Sequence, residues 1–293
     1  MTDISPTPIK MRSWLFAPGD SERKMGKAAD GDADIVLLDL EDSVMPDSKP
    51  AARRLVHDFL TARSDTARLW VRINPLSGNE ALADLDAIMP AAPGGIFLPK
   101  AEGKEDVETL DAVLTRLENT HGIDAGSTKV AALVTETPKA MFCAGSYAGA
   151  PRLAAMSWGA EDLSSALGAR VQFQANGQYM PTFELARSLC LVGAVAAGAA
   201  PIETIQSDFR DLDGLKTRAL MVRSQGYRGM LAIHPAQVPV INEAFTPSAE
   251  ELDHARTIIA AFEASPGAGT VGLNGTMLDR PHLELARALL ASA

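Results

Sequence analysis

The feature that most constrains the fold of this chain is the repetition of short apolar runs separated by longer amphipathic stretches. Such alternation is typical of repeated β-α units in an α/β protein. The runs predict eight strands, at 14–17, 35–40, 69–73, 95–98, 130–134, 153–157, 202–205 and 230–233. Eight strand–helix pairs favour a closed parallel (β/α)8 TIM barrel over an open doubly wound sheet. The chain also has no glycine-rich phosphate-binding motif after any predicted strand, and such a motif is typical of the open nucleotide-binding sheet.

The stretches between the predicted strands have the spacing of amphipathic helices. Helices are predicted at 22–29, 49–62, 81–88, 106–120, 139–147, 163–167, 183–197, 214–224 and 236–244. The barrel domain is therefore expected to cover residues 1–245, and a C-terminal extension to cover residues 246–293.

The extension has its own pattern. A helix is predicted at 249–263, followed by a linker at 265–269, a hairpin at 270–278 and a final helix at 282–290. The pair Asn274-Gly275 is a strong hairpin turn signal. A hairpin and one helix bury little apolar surface alone, so we expect them to pack as a lid on the barrel or on a neighbouring subunit. Homo-oligomerisation, as a trimer or hexamer, follows as a hypothesis.

Composition limits the class of partner. The formal net charge is −10, which argues against binding to nucleic-acid phosphates or to anionic lipid. Apolar residues make up 46% of the chain, enough for a large core. Only two cysteines are present, in apolar helical surroundings, and the first residues have no apolar signal segment. We therefore expect a cytoplasmic protein without a disulfide framework, which binds small molecules and no membrane.

Polar residues follow the predicted strands at the edge where a β/α barrel builds its active site. These residues are Asp39, Glu41, Asp42, Arg72, Asn74, Lys100, Glu136, Glu161, Asp162 and His234. So many charged groups around one barrel mouth would repel one another or stay unpaired without a ligand or metal.

Glu136 and Asp162 follow neighbouring strands, so their carboxylates are expected to share either a proton or a cation. With only oxygen ligands available, Mg²⁺ is the natural cation. In the alternative, one of the two caps the following helix and the other pairs with Arg72. The planar fork of Arg72 also suits bidentate binding of a keto-acid carboxylate.

Seven motifs carry a resemblance to a known family. They are RSWLFAPGDSERK (12–24), LDLEDSV (38–44), VRINPL (71–76), LPKAE (98–102), WGAEDL (158–163), IHPAQV (233–238) and GTMLDRP (275–281). Together they resemble the citrate lyase beta subunit-like branch of the HpcH/HpaI aldolase superfamily, which contains citryl-, malyl- and citramalyl-CoA lyases and malyl-CoA thioesterases.

The resemblance implies a Mg²⁺-dependent barrel that cleaves or forms a carbon–carbon bond of a 3-hydroxyacyl-CoA, giving acetyl-CoA and a keto acid. It implies that Glu136 and Asp162 bind the metal and that Arg72 holds the keto-acid oxygens. It further implies that Asp279 is an acid/base that a C-terminal lid delivers to a neighbouring subunit. The residues matching coenzyme A and substrate contacts are Phe16, Arg23, Lys27, Ile233 and His234.

Several of these side chains have other interpretations. Arg23 and Lys27 lie on one face of a helix. This face either contacts the phosphates of coenzyme A or is simply a basic face exposed to solvent. An ion pair with Glu41 or Asp42 is preferred for Lys100, and so many nearby carboxylates argue against a Schiff-base lysine. Glu41 and Asp42 themselves are expected to orient metal-bound waters.

Two further questions concern His234 and the acyl pocket. A structural hydrogen bond explains His234 as well as ligand contact does. Glu203 stands where the resemblance leads us to expect Asp. If this side chain shapes the acyl pocket, its extra methylene affects which acyl group fits. Asp208 is the alternative candidate for that role. Besides the lyase, a malyl-CoA thioesterase and a non-catalytic CoA-ester-binding subunit remain open.

Overall fold

A computed structural model describes residues 9–291. Eight parallel strands close into a barrel in the order β1 to β8, and β8 pairs with β1. The strands are β1 (Ser13–Pro18), β2 (Ile35–Asp39), β3 (Leu69–Arg72), β4 (Gly95–Leu98), β5 (Lys129–Leu133), β6 (Leu153–Ser157), β7 (Ala200–Glu203) and β8 (Gly229–Ala232). The predicted TIM barrel is thereby confirmed.

One or two helices follow each strand of the barrel. They are α1 (Glu22–Ala29), α2 (Lys49–Thr61), α3 (Glu80–Ile88), α4 (Lys104–His121), α5 (Pro138–Cys143), α6 (Ala160–Leu167), α7 (Pro181–Ala197), α8 (Leu212–Gln225) and α9 (Gln237–Phe245). Short 3₁₀ turns cover Pro46–Ser48, Thr66–Arg68 and Met89–Ala91. No helix within residues 9–291 is both long enough and apolar enough to cross a bilayer.

Several predicted elements differ from the structure in their bounds, and two of these differences have a clear local cause. Strand β7 begins two residues earlier than expected, because Pro201 is accommodated near its start instead of preceding it. Helix α5 ends at Cys143 although helical periodicity continues to residue 147. The chain passes there into turns that contain Gly145 and Gly149, the latter with φ of +72°.

Alternate residues of the strands fill the barrel interior with large apolar side chains. Trp14 and Trp70 meet edge to face with their ring centroids 5.0 Å apart. Gly95 makes this possible, since a Cβ there would lie 2.5 Å from the indole ring of Trp70. Each indole N–H donates to a nearby main-chain carbonyl, at Met11 and Ala67, so neither buried polar group is left unpaired.

The chain divides into two compact units between Asn242 and Glu243. The second unit contains α10 (Ala249–Glu263), the antiparallel pair β9 (Thr270–Leu273) and β10 (Thr276–Asp279), and α11 (Arg280–Ala291). Asn274 and Gly275 both have positive φ, as a two-residue hairpin turn requires. A small apolar cluster holds the unit together: Ala255, Ile258, Phe262, Val271, Leu278 and Ala286.

Candidate active site

The ends of β2 and β3 carry an arginine–carboxylate pair. Their register places Asp39 opposite Arg72. Arg72 donates from Nε and Nη2 to the two carboxylate oxygens of Asp39, each at 2.7 Å. Asp39 also accepts the backbone amides of Glu41 and Ser43. Burial alone would raise the pKa of Asp39, but the charge and hydrogen bonds of Arg72 lower it overall.

This pairing occupies two of the three nitrogens of the Arg72 guanidinium. The sequence predicts that its fork holds a keto-acid carboxylate bidentately, whereas the edge formed by Nε and Nη2 binds Asp39. The remaining Nη1 lies 2.9 Å from Glu41 Oε2 and 3.8 Å from Asp42 Oδ2. The guanidinium also lies over the Phe16 ring, 4.8 Å from its centroid. Arg72 is thus rigidly held, with only Nη1 directed at the acidic loop.

Lys100 forms the ion pair that the sequence predicts, and its partner is Glu41. Its Nζ lies 2.6 Å from Glu41 Oε1 and 3.2 Å from Asp162 Oδ1. Burial raises the pKa of Glu41, although Arg72 and Lys100 oppose the effect. Burial lowers the pKa of Lys100, but its carboxylate neighbours outweigh this and raise it overall. Lys100 therefore stays charged, which disfavours a Schiff-base role.

Glu136 and Asp162 follow the neighbouring strands β5 and β6, and Lys100 contacts both. The backbone amide of Lys100 donates to Glu136 Oε2 at 2.5 Å. Glu136 is 2% exposed. Burial, then the charges of Asp162 and Glu41, raise its pKa well above the ordinary value. The Asp162 side chain is 33% exposed and lies in the first turn of α6.

The carboxylates of Glu136 and Asp162 fit a hard divalent cation. Within residues 9–291, no group of three or more His, Cys, Asp or Glu side chains is arranged to hold a metal. Mg²⁺ commonly uses one or two protein carboxylates and completes its shell with water and substrate oxygens. The pair also repels itself, and a cation relieves this repulsion. The alternative pairing with Arg72 is absent, since the carboxylates beside Arg72 are Asp39, Glu41 and Asp42.

Gly159 makes room for Glu136. A Cβ at this position would lie 2.6 Å from Glu136 Cγ, closer than side chains tolerate. Gly159 is also the residue that precedes α6, and no side chain caps that helix. Sequence reasoning placed this glycine in a motif without assigning its steric role.

A buried lysine behind the site was missed by sequence reasoning. Lys49 Nζ donates to the carbonyls of Leu40 and Glu41, at 2.9 and 3.1 Å, and to Asn74 Oδ1 at 2.5 Å. Asn74 in turn donates from its backbone and its amide to Asp84 Oδ2, both at 2.7 Å. This network fixes the loop after β2. The sequence offered one indication of this network: Lys49 is the first residue of α2, where the helix dipole disfavours a positive charge.

Glu203 is completely buried, so it takes part in a network instead of lining an open acyl pocket. It accepts a hydrogen bond from Trp158 Nε1 at 3.0 Å and pairs with Arg218. Arg218 also donates to the Tyr179 hydroxyl at 2.7 Å, and burial raises the pKa of Tyr179 to about 12. Asp208 is exposed and lines a cavity of about 820 Å³ beside the end of β7.

The predicted coenzyme A contacts lie in different environments. Phe16 meets Phe97 edge to face, whereas Arg23 and Lys27 are exposed on α1. Ile233 is partly exposed, and His234 stacks on the Phe209 ring at 4.6 Å.

His234 makes the structural hydrogen bond considered above. Its Nδ1 accepts the Ala236 backbone amide at 3.1 Å. The buried side chain of Gln237 accepts the backbone amides of Ile233 and His234 and fixes this turn.

Asp279 belongs to the second compact unit and ends β10. Its side chain is 47% exposed, and its carboxylate contacts the imidazole of His282. Because it is accessible and has an adjacent imidazole, Asp279 can exchange protons with a ligand.

The model of the HpcH/HpaI aldolase/citrate lyase family matches residues 12–235. A citrate lyase subunit beta-like protein of Mycobacterium tuberculosis is 35% identical over 280 residues, which cover 96% of this chain and 94% of the relative. A (3S)-malyl-CoA thioesterase of Cereibacter sphaeroides is 33% identical over 288 residues, covering 96% and 94% of the two chains.

A solved structure matches almost the whole chain. It is that of the protein CitE of Mycobacterium tuberculosis in complex with magnesium, acetoacetate and coenzyme A. It is 33% identical in sequence and superposes with a TM-score of 0.80, over 97% of this chain and 98% of that one. The likeness therefore includes the C-terminal unit as well as the barrel.

Proposed function

The chain belongs to the HpcH/HpaI aldolase/citrate lyase family and is a carbon–carbon lyase, and we propose that it cleaves or forms that bond in a 3-hydroxyacyl-CoA. The substrates in view are citramalyl-, malyl- and citryl-CoA, with acetyl-CoA and a keto acid as products. The observation that carries the proposal is the pair Glu136 and Asp162, which follow adjacent strands of the barrel and both contact Lys100.

Mg²⁺ is the proposed cofactor, held by the carboxylates of Glu136 and Asp162. The donor set supports this, and so does the CitE relative, which was crystallised with magnesium, acetoacetate and coenzyme A. When bound there, the ion supplies Lewis-acid polarisation of the keto-acid carbonyl, which typically contributes several kcal/mol.

Arg72 is proposed to bind the keto-acid oxygens through Nη1. Its other donors are held by Asp39, so the guanidinium is preorganised before substrate arrives. Glu41 and Asp42 flank Nη1 and are proposed to orient water bound at the metal. Lys100 offsets the negative charge of this acidic group.

Phe16, Arg23, Lys27, Ile233 and His234 are proposed to bind the CoA ester. The exposed cations of α1 suit the phosphates, and the Phe16 ring suits an apolar part of the ligand. The ordered turn at Ile233 and His234 presents a fixed surface to the remainder of the substrate.

Asp279 is proposed to act as the acid/base, supplied by the lid of a neighbouring subunit in a trimer or hexamer. In condensation it removes a proton from the thioester methyl, and in cleavage it returns that proton to the enolate. Apolar residues exposed on α7 and α5 support assembly: Leu185, Val192, Val195 and Phe142. Mixing Asp279→Asn and Glu136→Ala subunits should restore partial activity, and failure in exchanged oligomers would remove the trans-subunit role.

A panel of CoA thioesters, assayed with and without added Mg²⁺, tests the proposal. Acetyl-CoA and a keto acid as Mg²⁺-dependent products support the lyase. Free CoA with the intact hydroxy acid would favour hydrolysis, the second candidate, which the similarity to a (3S)-malyl-CoA thioesterase supports. No turnover and no Mg²⁺ binding by calorimetry would leave a non-catalytic CoA-ester-binding subunit.

A further inference from the structure

A hydrogen-bonded pair lies within the C-terminal unit, on Asp279 and His282. Nδ1 of His282 lies 2.5 Å from Asp279 Oδ1 and 3.2 Å from the Asp279 backbone nitrogen. We propose that His282 is a positioning residue that fixes the Asp279 carboxylate and shares its proton. The inference rests on the proposed acid/base function of Asp279.

Local structure brings the two side chains together. Asp279 ends β10 opposite Thr270 of β9, and α11 begins at the next residue. His282 therefore stands in the first helical turn, three residues on, where its ring reaches back over Asp279. The tight hairpin and the helix start fix the backbone on both sides of the pair, so its geometry is set by secondary structure.

Stability does not account for this pair. Both side chains are 47% exposed, and exposed ion pairs contribute little to the stability of a fold. Within residues 9–291, the only hydrogen-bonding partner of the His282 side chain is Asp279. The surrounding charges at the contact between α10 and α11 are Glu263, Arg280, Glu284 and Arg287, and Arg287 pairs with Glu284 at 3.3 Å.

One ring nitrogen of His282 faces both a donor and an acceptor. When Nδ1 carries a proton, it donates to the ionised carboxylate of Asp279. When Nδ1 is unprotonated, it accepts from the backbone amide and from a protonated carboxyl group. Both placements of the proton therefore keep a hydrogen bond without movement of the heavy atoms.

This arrangement suits a group that must take up and return the same proton. In condensation, the carboxylate of Asp279 accepts the proton of the thioester methyl, and the electron pair of the broken C–H bond stays in the enolate. The imidazole starts as its Nε2–H tautomer, whose Nδ1 accepts the Asp279 backbone amide. The added proton then lies between Oδ1 and Nδ1, giving a protonated carboxyl group beside a neutral imidazole or a carboxylate beside an imidazolium. In cleavage, the same proton returns to the enolate carbon.

The test compares His282→Ala with His282→Asn in the full-length protein. Asn retains a polar group near the position of Nδ1 but takes up no proton, so it separates orientation from proton sharing. We expect both variants to lose on the order of 10- to 100-fold in kcat with little change in KM, a part of what general acid–base catalysis supplies. His254→Ala, at an exposed histidine of α10, is the matched control and should keep wild-type kcat.

Recovery of wild-type kcat in His282→Asn would overturn proton sharing, and undiminished kcat in His282→Ala would overturn both roles. A second readout needs no turnover: ¹⁵N NMR of the His282 ring should show a change of Nδ1 protonation in Asp279→Asn. An unchanged ring spectrum would overturn the pairing. An active Asp279→Asn enzyme would instead refute the proposed acid/base function, while the NMR result would still decide the contact.

Discussion

Two glutamates of the barrel, Glu118 and Glu136, are almost completely buried, yet burial has opposite outcomes for them. Glu118 lies near the N-terminal ends of the strands and accepts four hydrogen bonds: from the backbone amides of Gly126 and Thr128, and from two nitrogens of Arg152. Burial alone would raise its pKa, but these donors lower it to about 2. Glu136 accepts one backbone amide, faces two other carboxylates and has a raised pKa.

The difference separates a structural acid from the one that we propose to bind a cation. The carboxylate oxygens of Glu118 accept hydrogen bonds from the protein itself, and these bonds join α4 to the segments that precede β5 and β6. Glu136 keeps unused acceptor capacity, in an environment that favours an added cation or proton. The number of donors around a buried carboxylate, more than its burial, indicates whether it serves the fold or a ligand.

The largest expected effect is at Glu136. Glu136→Gln keeps the shape but removes the charge, so we expect kcat to fall by about 10³-fold while the free energy of unfolding without Mg²⁺ stays equal or rises. Steady-state kinetics and thermal unfolding in chelator measure the two quantities. A strong loss of stability would make Glu136 a structural acid like Glu118.

Glu118→Gln is the matched substitution at the other end of the barrel. It leaves the guanidinium of Arg152 with a weaker partner, so we expect a loss on the order of 3 kcal/mol in the free energy of unfolding. The kcat of the folded enzyme should be unchanged. Urea unfolding with kinetics on the same sample checks this, and a variant of wild-type stability would contradict the comparison.

Gly159→Ala tests whether Glu136 depends on the space beside it. The added methyl would overlap Glu136 Cγ, and overpacking of this kind typically costs about 1–3 kcal/mol. We expect weaker Mg²⁺ binding by calorimetry together with a small loss of stability. Gly145→Ala is the control, because a Cβ there meets no atom within 4 Å. Equal Mg²⁺ affinities of the two variants would show that the carboxylate does not need this space.

The smallest effect is on the pH dependence of stability. The pKa of Glu118 is lowered from 4.5 to about 2, so its stabilisation is present above pH 4.5 and is lost as pH falls towards 2. The pKa of Glu136 is raised, so its ionised form weakens the folded state at neutral pH, and acid relieves this. At neutral pH, wild type should therefore be more stable than Glu118→Gln and no more stable than Glu136→Gln. Both differences in the free energy of unfolding should shrink as the pH is lowered.

The sequence predicted the barrel because each strand is a continuous apolar run, and it predicted Glu136 and Asp162 because such runs end at one edge of the barrel. Of the pairings between distant segments, the sequence predicted the ion pair of Lys100 with Glu41, but not those of Arg72 and Lys49. The Arg72 guanidinium binds Asp39, which lies 33 residues away in the sequence, and Lys49 donates to Asn74, which lies 25 residues away. No local periodicity encodes these choices, since they depend on which strand ends become neighbours. The domain boundary at residue 245 and the roles of the site residues stay predictions.

The left-handed backbone of Lys100, with φ of +51°, lets one residue act in two directions. Its amide restrains the end of β5, and its ammonium restrains the segments after β2 and β6. Displacement of any one of these three segments is therefore transmitted to the others through a single tether. Deuterium uptake at the Lys100 amide should consequently report on all three segments. It should slow when a ligand binds there, and it should accelerate when Glu41, Glu136 or Asp162 is substituted.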